Sequence, residues 1–303
     1  MNTKSGYAAI IGLPNVGKST LMNALLGQKI SITTSKPQTT RKRILGILSE
    51  KDYQIIFLDT PGILKPIYLL QEKMMEDVES SIKDADIYII IYDVSSVASL
   101  KESEENEIIK SIIDDDSKKK ILVLNKIDTI EQDKVVLLIE KYESINKFKS
   151  VIPVSANLNF NIERLKNDIA ESLPEGPKYY DDEIVSDGSE RFFVTEIIRE
   201  KIFELYKDEI PYSCEVLIAE FKERQGAKDF VSAEIVVERE SQKPIIIGKA
   251  GRAIKLLGEK SRKAIEEFLG KEVYLEMRVK VREKWRSNPN MLKAFGYIRE
   301  KEK

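Results

Sequence analysis

The sequence predicts an α/β domain with a doubly wound, mainly parallel sheet, followed by a smaller α+β domain. In the first half of the chain, short apolar runs alternate with helical periodicity, and polar motifs follow the ends of several runs. From residue 191 the pattern changes to helix, two alternating strands, two helices and a last strand. The stretch between them is rich in proline, glycine and aspartate. We therefore predict a first domain at 1–173, a linker at 174–190 and a second domain at 191–303.

Composition narrows the class of protein. The 303 residues are 42% hydrophobic, which suits packed cores, and neither a membrane span nor a secretory leader is recognisable. A single cysteine, Cys214, cannot form an internal disulfide. The absence of histidine excludes Ser-His-Asp and Cys-His nucleophile arrangements and His-ligated zinc. We expect a soluble, cytoplasmic protein whose chemistry depends on lysine, carboxylates, hydroxyls, backbone groups or a metal ion.

Charge is distributed unevenly along the chain. The overall formal charge is -2, but the segment from Lys243 to the end has about 17 basic and about 8 acidic residues. This segment is the candidate for contact with a polyanion.

A phosphate-binding pattern, G-x-x-x-x-G-K-[ST], lies between an apolar strand and a helix that begins near Thr20. Its glycines let the backbone N–H groups surround an anion, and the lysine reaches the outer phosphates. The hydroxyl of the last residue is suited to Mg²⁺. The pattern comprises Gly12, Leu13, Pro14, Asn15, Val16, Gly17, Lys18 and Ser19, and Thr20 directly after it is a further candidate nucleotide-binding residue. The alternative is a glycine-rich turn without a ligand.

Two further motifs follow strand ends. Asp59, Thr60, Pro61 and Gly62 come after an apolar strand; the carboxylate can hold Mg²⁺ through water, and the glycine N–H can meet a γ-phosphate. In isolation this tetrapeptide would be only a turn.

The segment that begins with Asn125 and Lys126 and ends with Asp128 follows another buried strand. A carboxylate can accept from N1–H and the 2-amino group of guanine, whereas adenine offers neither donor, so the motif favours guanine. Asn125 would hold the loop and the Lys126 stem would cover the base. After the last strand, the small residues Ser155 and Ala156 let the backbone approach the guanine carbonyl.

These motifs, in the order GLPNVGKS, QTTRK, DTPG, NKID and VSA, resemble the GTP-binding domain of translation-factor-related GTPases, and QKISITTSKPQTTRKRILGI resembles the Era family. The resemblance implies that GTP and Mg²⁺ are bound, with Ser19, Thr40 and Asp59 as the metal residues. Thr40 would sense the γ-phosphate. The alternative is that its neighbour Thr39 has this role. Lys18, Thr40 and Asn15 are the candidate catalytic residues.

Two positions affect the expected mechanism. Ile63 stands where Ras-like proteins have a water-orienting glutamine, so hydrolysis assisted from that position is not available, and basal turnover should be slow. Asn15 matches the asparagine that coordinates K⁺ in related GTPases, so the resemblance implies K⁺ stimulation. The alternative is an ordinary loop asparagine.

The second half resembles a type II KH domain, whose G-x-x-G loop clamps single-stranded RNA. The glycines let the loop approach the RNA backbone, and basic side chains supply charge. The candidate RNA-binding residues are Gly248, Lys249, Ala250, Gly251, Arg252 and Lys255. In the tail, Trp285 either stacks on a base or packs in the protein.

The resemblance to the Era family extends from the phosphate-binding loop to Tyr297. It implies GTP-dependent binding near the 3′ end of 16S ribosomal RNA during assembly of the 30S subunit, some association with the inner membrane surface, and a monomer. Two other classes are considered. A GTPase of transport or membrane traffic is disfavoured by the KH-like half. A passive RNA-binding module is disfavoured because Lys18, Ser19, Thr40 and Asp59 are all present.

Overall fold

The structure is a computed structural model that describes residues 3–34 and 36–298. Its internal contacts divide the chain into two compact units. The first consists of Met1–Lys65 and Met74–Asp187, and the second of Pro66–Lys73 and Gly188–Lys303. No helix within the described ranges is long and apolar enough to cross a membrane.

The first unit is built on a six-stranded sheet in the order β2-β3-β1-β4-β5-β6. All neighbouring strands are parallel except the edge strand β2, which pairs antiparallel with β3. The strands are β1 Lys4–Ile11, β2 Ile44–Ser49, β3 Tyr53–Asp59, β4 Ile87–Asp93, β5 Lys119–Asn125 and β6 Ser150–Val154. The helices are α1 Lys18–Leu26, α2 Leu69–Asp84, α3 Val97–Glu105, α4 Glu107–Asp114, α5 Gln132–Glu143 and α6 Ile162–Ser172. The first five residues of α2 are grouped with the second unit.

The centre of this sheet is covered on both faces. Every residue of β4 is buried, as expected for the continuous apolar run IYIIIYD in a parallel sheet between helices. Alternation of strands and helices around this core confirms the predicted doubly wound class. It also brings the carboxyl ends of β1, β3, β5 and β6 to one edge, where the polar motifs follow.

The acidic segment at 101–116 contains parts of two helices, α3 and α4. Helix α3 ends at Glu105, and Asn106 caps the next helix: its side-chain oxygen accepts from the N–H groups of Ile108 and Ile109, both at 3.1 Å. An asparagine that satisfies two otherwise unpaired N–H groups favours a new helix start over continuation.

Residues 174–187 lie along the first unit, and we call them the strap. Gln54 accepts from the N–H groups of Tyr179 and Tyr180 at 2.8 and 3.0 Å and donates to the carbonyl of Tyr180 at 2.8 Å. Further along, the N–H of Ile47 donates to the carbonyl of Val185 at 2.7 Å. The strap therefore supplies hydrogen-bond partners to the edge strand β2.

The second unit contains a three-stranded sheet in the order β7-β8-β9, with β7 antiparallel and β9 parallel to β8. Its strands are β7 Glu215–Lys222, β8 Asp229–Val237 and β9 Val273–Val281. Its helices are α7 Glu190–Leu205, α8 Ile210–Ser213, α9 Lys243–Ile247, α10 Arg252–Leu269 and α11 Pro289–Ala294. One face of the sheet packs on α7 and α10 in an apolar core. This architecture confirms the predicted α+β second domain.

The C-terminal tail packs against the second unit. Trp285 is fully buried, donates from its indole nitrogen to the carbonyl of Ser213 at 2.9 Å, and meets Phe295 edge to face. Of the two roles considered for Trp285, packing is the one that the structure supports, because a buried indole offers no face to a base.

Candidate nucleotide and RNA sites

A cavity of about 470 Å³ opens at the carboxyl ends of the strands of the first unit. Twelve of the predicted nucleotide-site residues line it: Pro14, Asn15, Gly17, Lys18, Ser19, Thr20, Gly62, Asn125, Lys126, Asp128, Ser155 and Ala156. Thr40 lines it as well. The remaining predicted residues, Gly12, Leu13, Val16, Asp59, Thr60 and Pro61, are buried and do not belong to its lining.

The buried residues support the cavity from behind. The Thr60 hydroxyl donates to the carbonyl of Ile10 at 2.8 Å, which ties β3 to β1. Gly62 lies against the backbone of Pro14, where a Cβ atom would come within 2.6 Å of Cα. Ile63 is 3% exposed, so the position that carries glutamine in Ras-like proteins offers no polar group here.

The phosphate-binding loop has the geometry that its glycines and lysine require. Gly17 has φ 101°, and the space of its missing Cβ is occupied by the amide of Asn125. Lys18 donates to the carbonyls of Gly12 and Leu13 at 3.2 and 2.8 Å. Burial lowers the pKa of Lys18 to about 8, and the nearby Asp59 carboxylate partly counteracts this effect. A phosphate would favour the charged form of this lysine.

The three predicted metal residues lie together. Ser19 Oγ is 2.8 Å from Thr40 Oγ1 and donates to Asp59 Oδ2 at 2.7 Å. Thr40 Oγ1 is 3.4 Å from the same carboxylate oxygen. Thr39 instead donates to the carbonyl of Lys36 at 2.9 Å. Of the two threonines, Thr40 is therefore the one that joins this cluster.

The donor set suits Mg²⁺, which takes oxygen ligands and few carboxylates. Asp59 is fully buried, and its Oδ1 has no hydrogen-bond partner within the described part of the chain. Burial raises the pKa of Asp59, and hydrogen bonds and the Lys18 charge oppose this rise. A buried carboxylate with one uncompensated oxygen is stabilised by a nearby cation.

The other end of the cavity is organised by Asn125. Its amide donates to the carbonyl of Val16 at 2.8 Å, and its side-chain oxygen accepts from the N–H of Ala156 at 3.1 Å. Asn125 thus joins the phosphate-binding loop to the segment after β6. Asp128 also lines the cavity, and its side chain is exposed to solvent.

Sequence reasoning missed residues that support this site. Ser31 donates to Asp59 Oδ2 at 2.9 Å, and Asn23 accepts from the N–H groups of Ile30 and Ser31, both at 2.9 Å. Ser31 lies in the quoted stretch that resembles the Era family, but a single serine in a polar segment gives no signal of its own. Asn157, which lines the cavity, could have been found as the next residue after Ala156.

In the second unit, the G-x-x-G loop joins α9 to α10. Gly248 has φ 71°, and a Cβ there would come within 2.9 Å of the backbone nitrogen of Ala253. Gly251 has φ 72° but would meet nothing within 4 Å. Ala250 is also left-handed, with φ 52°. Steric crowding therefore requires glycine at 248, whereas at 251 only the backbone conformation favours it.

The basic side chains of the loop are available to a ligand. The side chains of Lys249, Arg252 and Lys255 are exposed and make no hydrogen bond or ion pair in the ranges that the structure describes. By contrast, Arg262, further along α10, is paired with Glu266 at 2.8 Å. Basic side chains that have no ion-pair partner, next to a glycine loop that a ligand can approach closely, can bind the phosphates of a nucleic acid.

Comparison with known families divides the chain in the same way. Residues 7–126 match the family model described as 50S ribosome-binding GTPase. Residues 209–286 match the KH domain model.

Two relatives match nearly the whole of this chain. The chain is 47% identical to the chloroplastic GTPase ERA1 of Zea mays over 98% of its own length and 71% of that protein. It is 42% identical to GTPase Era of Lactobacillus helveticus over 97% of its length and 96% of the relative.

Solved structures agree with these matches. Era in complex with MgGDPNP and nucleotides 1506–1542 of 16S ribosomal RNA is 39% identical, with a TM-score of 0.90 over 97% of this chain and 99% of that one. A variant of Aquifex aeolicus Era bound to GDP·AlF₄⁻ is 38% identical, with the same TM-score and the same two shares covered. Motif geometry, domain order and identity over nearly the whole length lead to one conclusion: the chain belongs to the Era family of GTPases.

Proposed function

We propose that this GTPase binds GTP with Mg²⁺, hydrolyses it, and binds 16S ribosomal RNA near its 3′ end during assembly of the 30S subunit. The observation that carries the proposal is the match over 97% of the chain to an Era structure that holds both MgGDPNP and that RNA segment. The residues suited to each ligand are present in this chain, in separate units.

The nucleotide would lie across the strand ends of the first unit. Lys18 and the N–H groups of the phosphate-binding loop would hold the phosphates, and Asn125, Lys126 and Asp128 would hold the base. Ser19 and Thr40 would hold Mg²⁺ directly and Asp59 through water. The ion would neutralise charge that develops on the phosphate oxygens during hydrolysis.

Ile63 directly follows Gly62, so this position has no side chain that could orient the attacking water, and catalysis must come from elsewhere in the site. We propose that K⁺ bound at Asn15 supplies positive charge that stabilises the transition state. Two observations support the proposal: Asn15 lines the nucleotide cavity, and it has a left-handed backbone, with φ 70°, at the rim of the phosphate-binding loop.

RNA would bind the second unit at the G-x-x-G loop. Gly248 and Gly251 let a sugar-phosphate backbone approach, and Lys249, Arg252 and Lys255 would contact its phosphates. The protein would act in the compartment that assembles the small ribosomal subunit. In bacteria this compartment is the cytoplasm. Association with a membrane surface and a monomeric state stay predictions of the family resemblance.

The proposal is tested by measuring GTP hydrolysis by the purified full-length protein, with and without an RNA oligonucleotide that copies the 3′ end of 16S ribosomal RNA. We expect RNA to bind and to stimulate hydrolysis, which would show that RNA contact is coupled to events at the nucleotide site. RNA binding without a change in turnover would indicate two independent modules, and absence of RNA binding would contradict the proposed target.

A further inference from the structure

The ammonium group of Lys126, in the segment after β5, donates two hydrogen bonds to other parts of the chain. The residue has a left-handed backbone, with φ 67°. Its Nζ donates to the carbonyl oxygen of Asn15 at 2.9 Å and to Asp93 Oδ2 at 2.5 Å. The side chain therefore extends from the segment after β5 to the phosphate-binding loop, along the wall of the nucleotide cavity.

Asp93 is the last residue of β4 and is 7% exposed. While its Oδ2 accepts from Lys126, its Oδ1 accepts from the N–H and the hydroxyl of Ser95 at 2.9 and 2.5 Å. Because both oxygens are engaged, the carboxylate cannot rotate away from the lysine without losing hydrogen bonds. Asp93 does not line the cavity, and none of the sequence motifs includes it.

Resting on the nucleotide site proposed above, we propose that Asp93 is a positioning residue for guanine-nucleotide binding, which acts by fixing Lys126. A free lysine samples many rotamers, and ordering it when the nucleotide binds opposes affinity. A lysine that is already extended by Asp93 presents its aliphatic stem to the base without that entropic cost. Its ammonium group also fixes the carbonyl of Asn15, so the same contact orders the rim of the phosphate-binding loop.

The alternative is that Asp93 only shapes the turn after β4. The chain contains a matched control for that role. Asp115 Oδ1 accepts from the N–H and the hydroxyl of Ser117 at 2.9 and 2.5 Å, the same Asp-x-Ser turn. The other oxygen of Asp115 accepts from the hydroxyl of Tyr88 at 3.3 Å, and Asp115 is not part of the cavity lining.

The test is the rate of GDP release from full-length protein, followed with a fluorescent GDP analogue. Asp93→Asn keeps an acceptor for Ser95 but removes the charge that holds Lys126. We expect release about tenfold faster and a KM for GTP about tenfold higher, with a change in kcat of less than about twofold, on the scale of one lost charged contact. Lys126→Met should have a similar effect, and the double variant should be no worse than either single one.

Asp115→Asn and Ser95→Ala should release GDP within about twofold of the wild-type rate, since both leave the Asp93–Lys126 pair in place. Thermal unfolding without nucleotide verifies that each variant is folded. The proposal is overturned if Asp93→Asn releases GDP at the wild-type rate, if Ser95→Ala accelerates release as much as Asp93→Asn, or if the effects of Asp93→Asn and Lys126→Met add.

Discussion

The hydroxyl oxygens of Ser19 and Thr40 lie 2.8 Å apart, although 21 positions separate them in sequence. Thr40→Ala removes one of the two hydroxyls suited to Mg²⁺. We expect GTP hydrolysis to fall by about a hundredfold, because a charge-stabilising contact is lost in the transition state. Affinity for GDP should change by less than about twofold, since this threonine is expected to sense the γ-phosphate. Steady-state kinetics and GDP titration would measure the two effects.

Thr39→Ala is the matched control for that substitution. Its hydroxyl donates to the carbonyl of Lys36 at 2.9 Å and lies 3.0 Å from the hydroxyl of Thr34. Hydrolysis by this variant should stay within about threefold of wild type. An equal loss in the two variants would contradict the assignment of Thr40 as the metal residue.

Lys18→Ala should abolish measurable GTP binding. The lysine is 6% exposed and donates to two carbonyls of the phosphate-binding loop, so its ammonium group is fixed where the outer phosphates would lie. We expect affinity to fall by at least about a hundredfold, as for a buried charged contact. Calorimetric titration with GTP would measure it, and thermal unfolding without nucleotide verifies that the variant is folded.

Hydrolysis should be faster in K⁺ than in Na⁺ at equal ionic strength. The expected stimulation is about tenfold, which corresponds to about 1.4 kcal/mol of transition-state stabilisation. Asn15→Ala should make the rate insensitive to the choice of cation. Equal rates of the wild-type protein in the two salts would show that Asn15 is an ordinary loop residue.

Gly251→Asp should weaken RNA binding and leave GTP binding intact. A side chain at this position meets nothing within 4 Å, so the added carboxylate projects toward the RNA-binding face without a clash. We expect affinity to fall by about tenfold or more at low salt, because the new charge repels phosphates. Gly251→Ala imposes the same strain at this φ but adds no charge, so it should reduce the affinity for RNA much less. If both variants bind RNA as well as wild type, the loop does not contact RNA.

Trp285→Ala should destabilise the second unit by about 3 to 5 kcal/mol, the usual cost of removing a buried aromatic side chain. Trp285→Phe loses the hydrogen bond to Ser213 and part of the volume, so its cost should be smaller. Urea unfolding would measure both. A variant that is as stable as wild type but binds RNA poorly would favour the stacking role instead.

The sequence was most informative where function demands special residues. The glycines at 12 and 17, Lys18, Asp59 and Asn125 have types and spacings that few other sites need, and the structure places them around one cavity or directly beneath it. The apolar run of β4 likewise identifies a covered parallel strand.

Residues that act through ordinary contacts could not be found in this way. Asp93, Ser31 and Asn23 are common types in positions without a pattern, and their roles depend on which segments meet in the fold. The sequence could not decide between the two roles of Trp285 for the same reason. Its burial depends on a tail that packs against residues about 70 positions earlier.

The strap also determines where a stable fragment of this protein can end. Strand β2 is a sheet edge, and its Leu45 carbonyl and Ile47 N–H are paired by Ser186 and Val185. A nucleotide-binding fragment that stops at residue 173 would leave those groups unpaired and open to another strand. A fragment that continues to residue 187 keeps the edge closed and should be the one that stays monodisperse in solution.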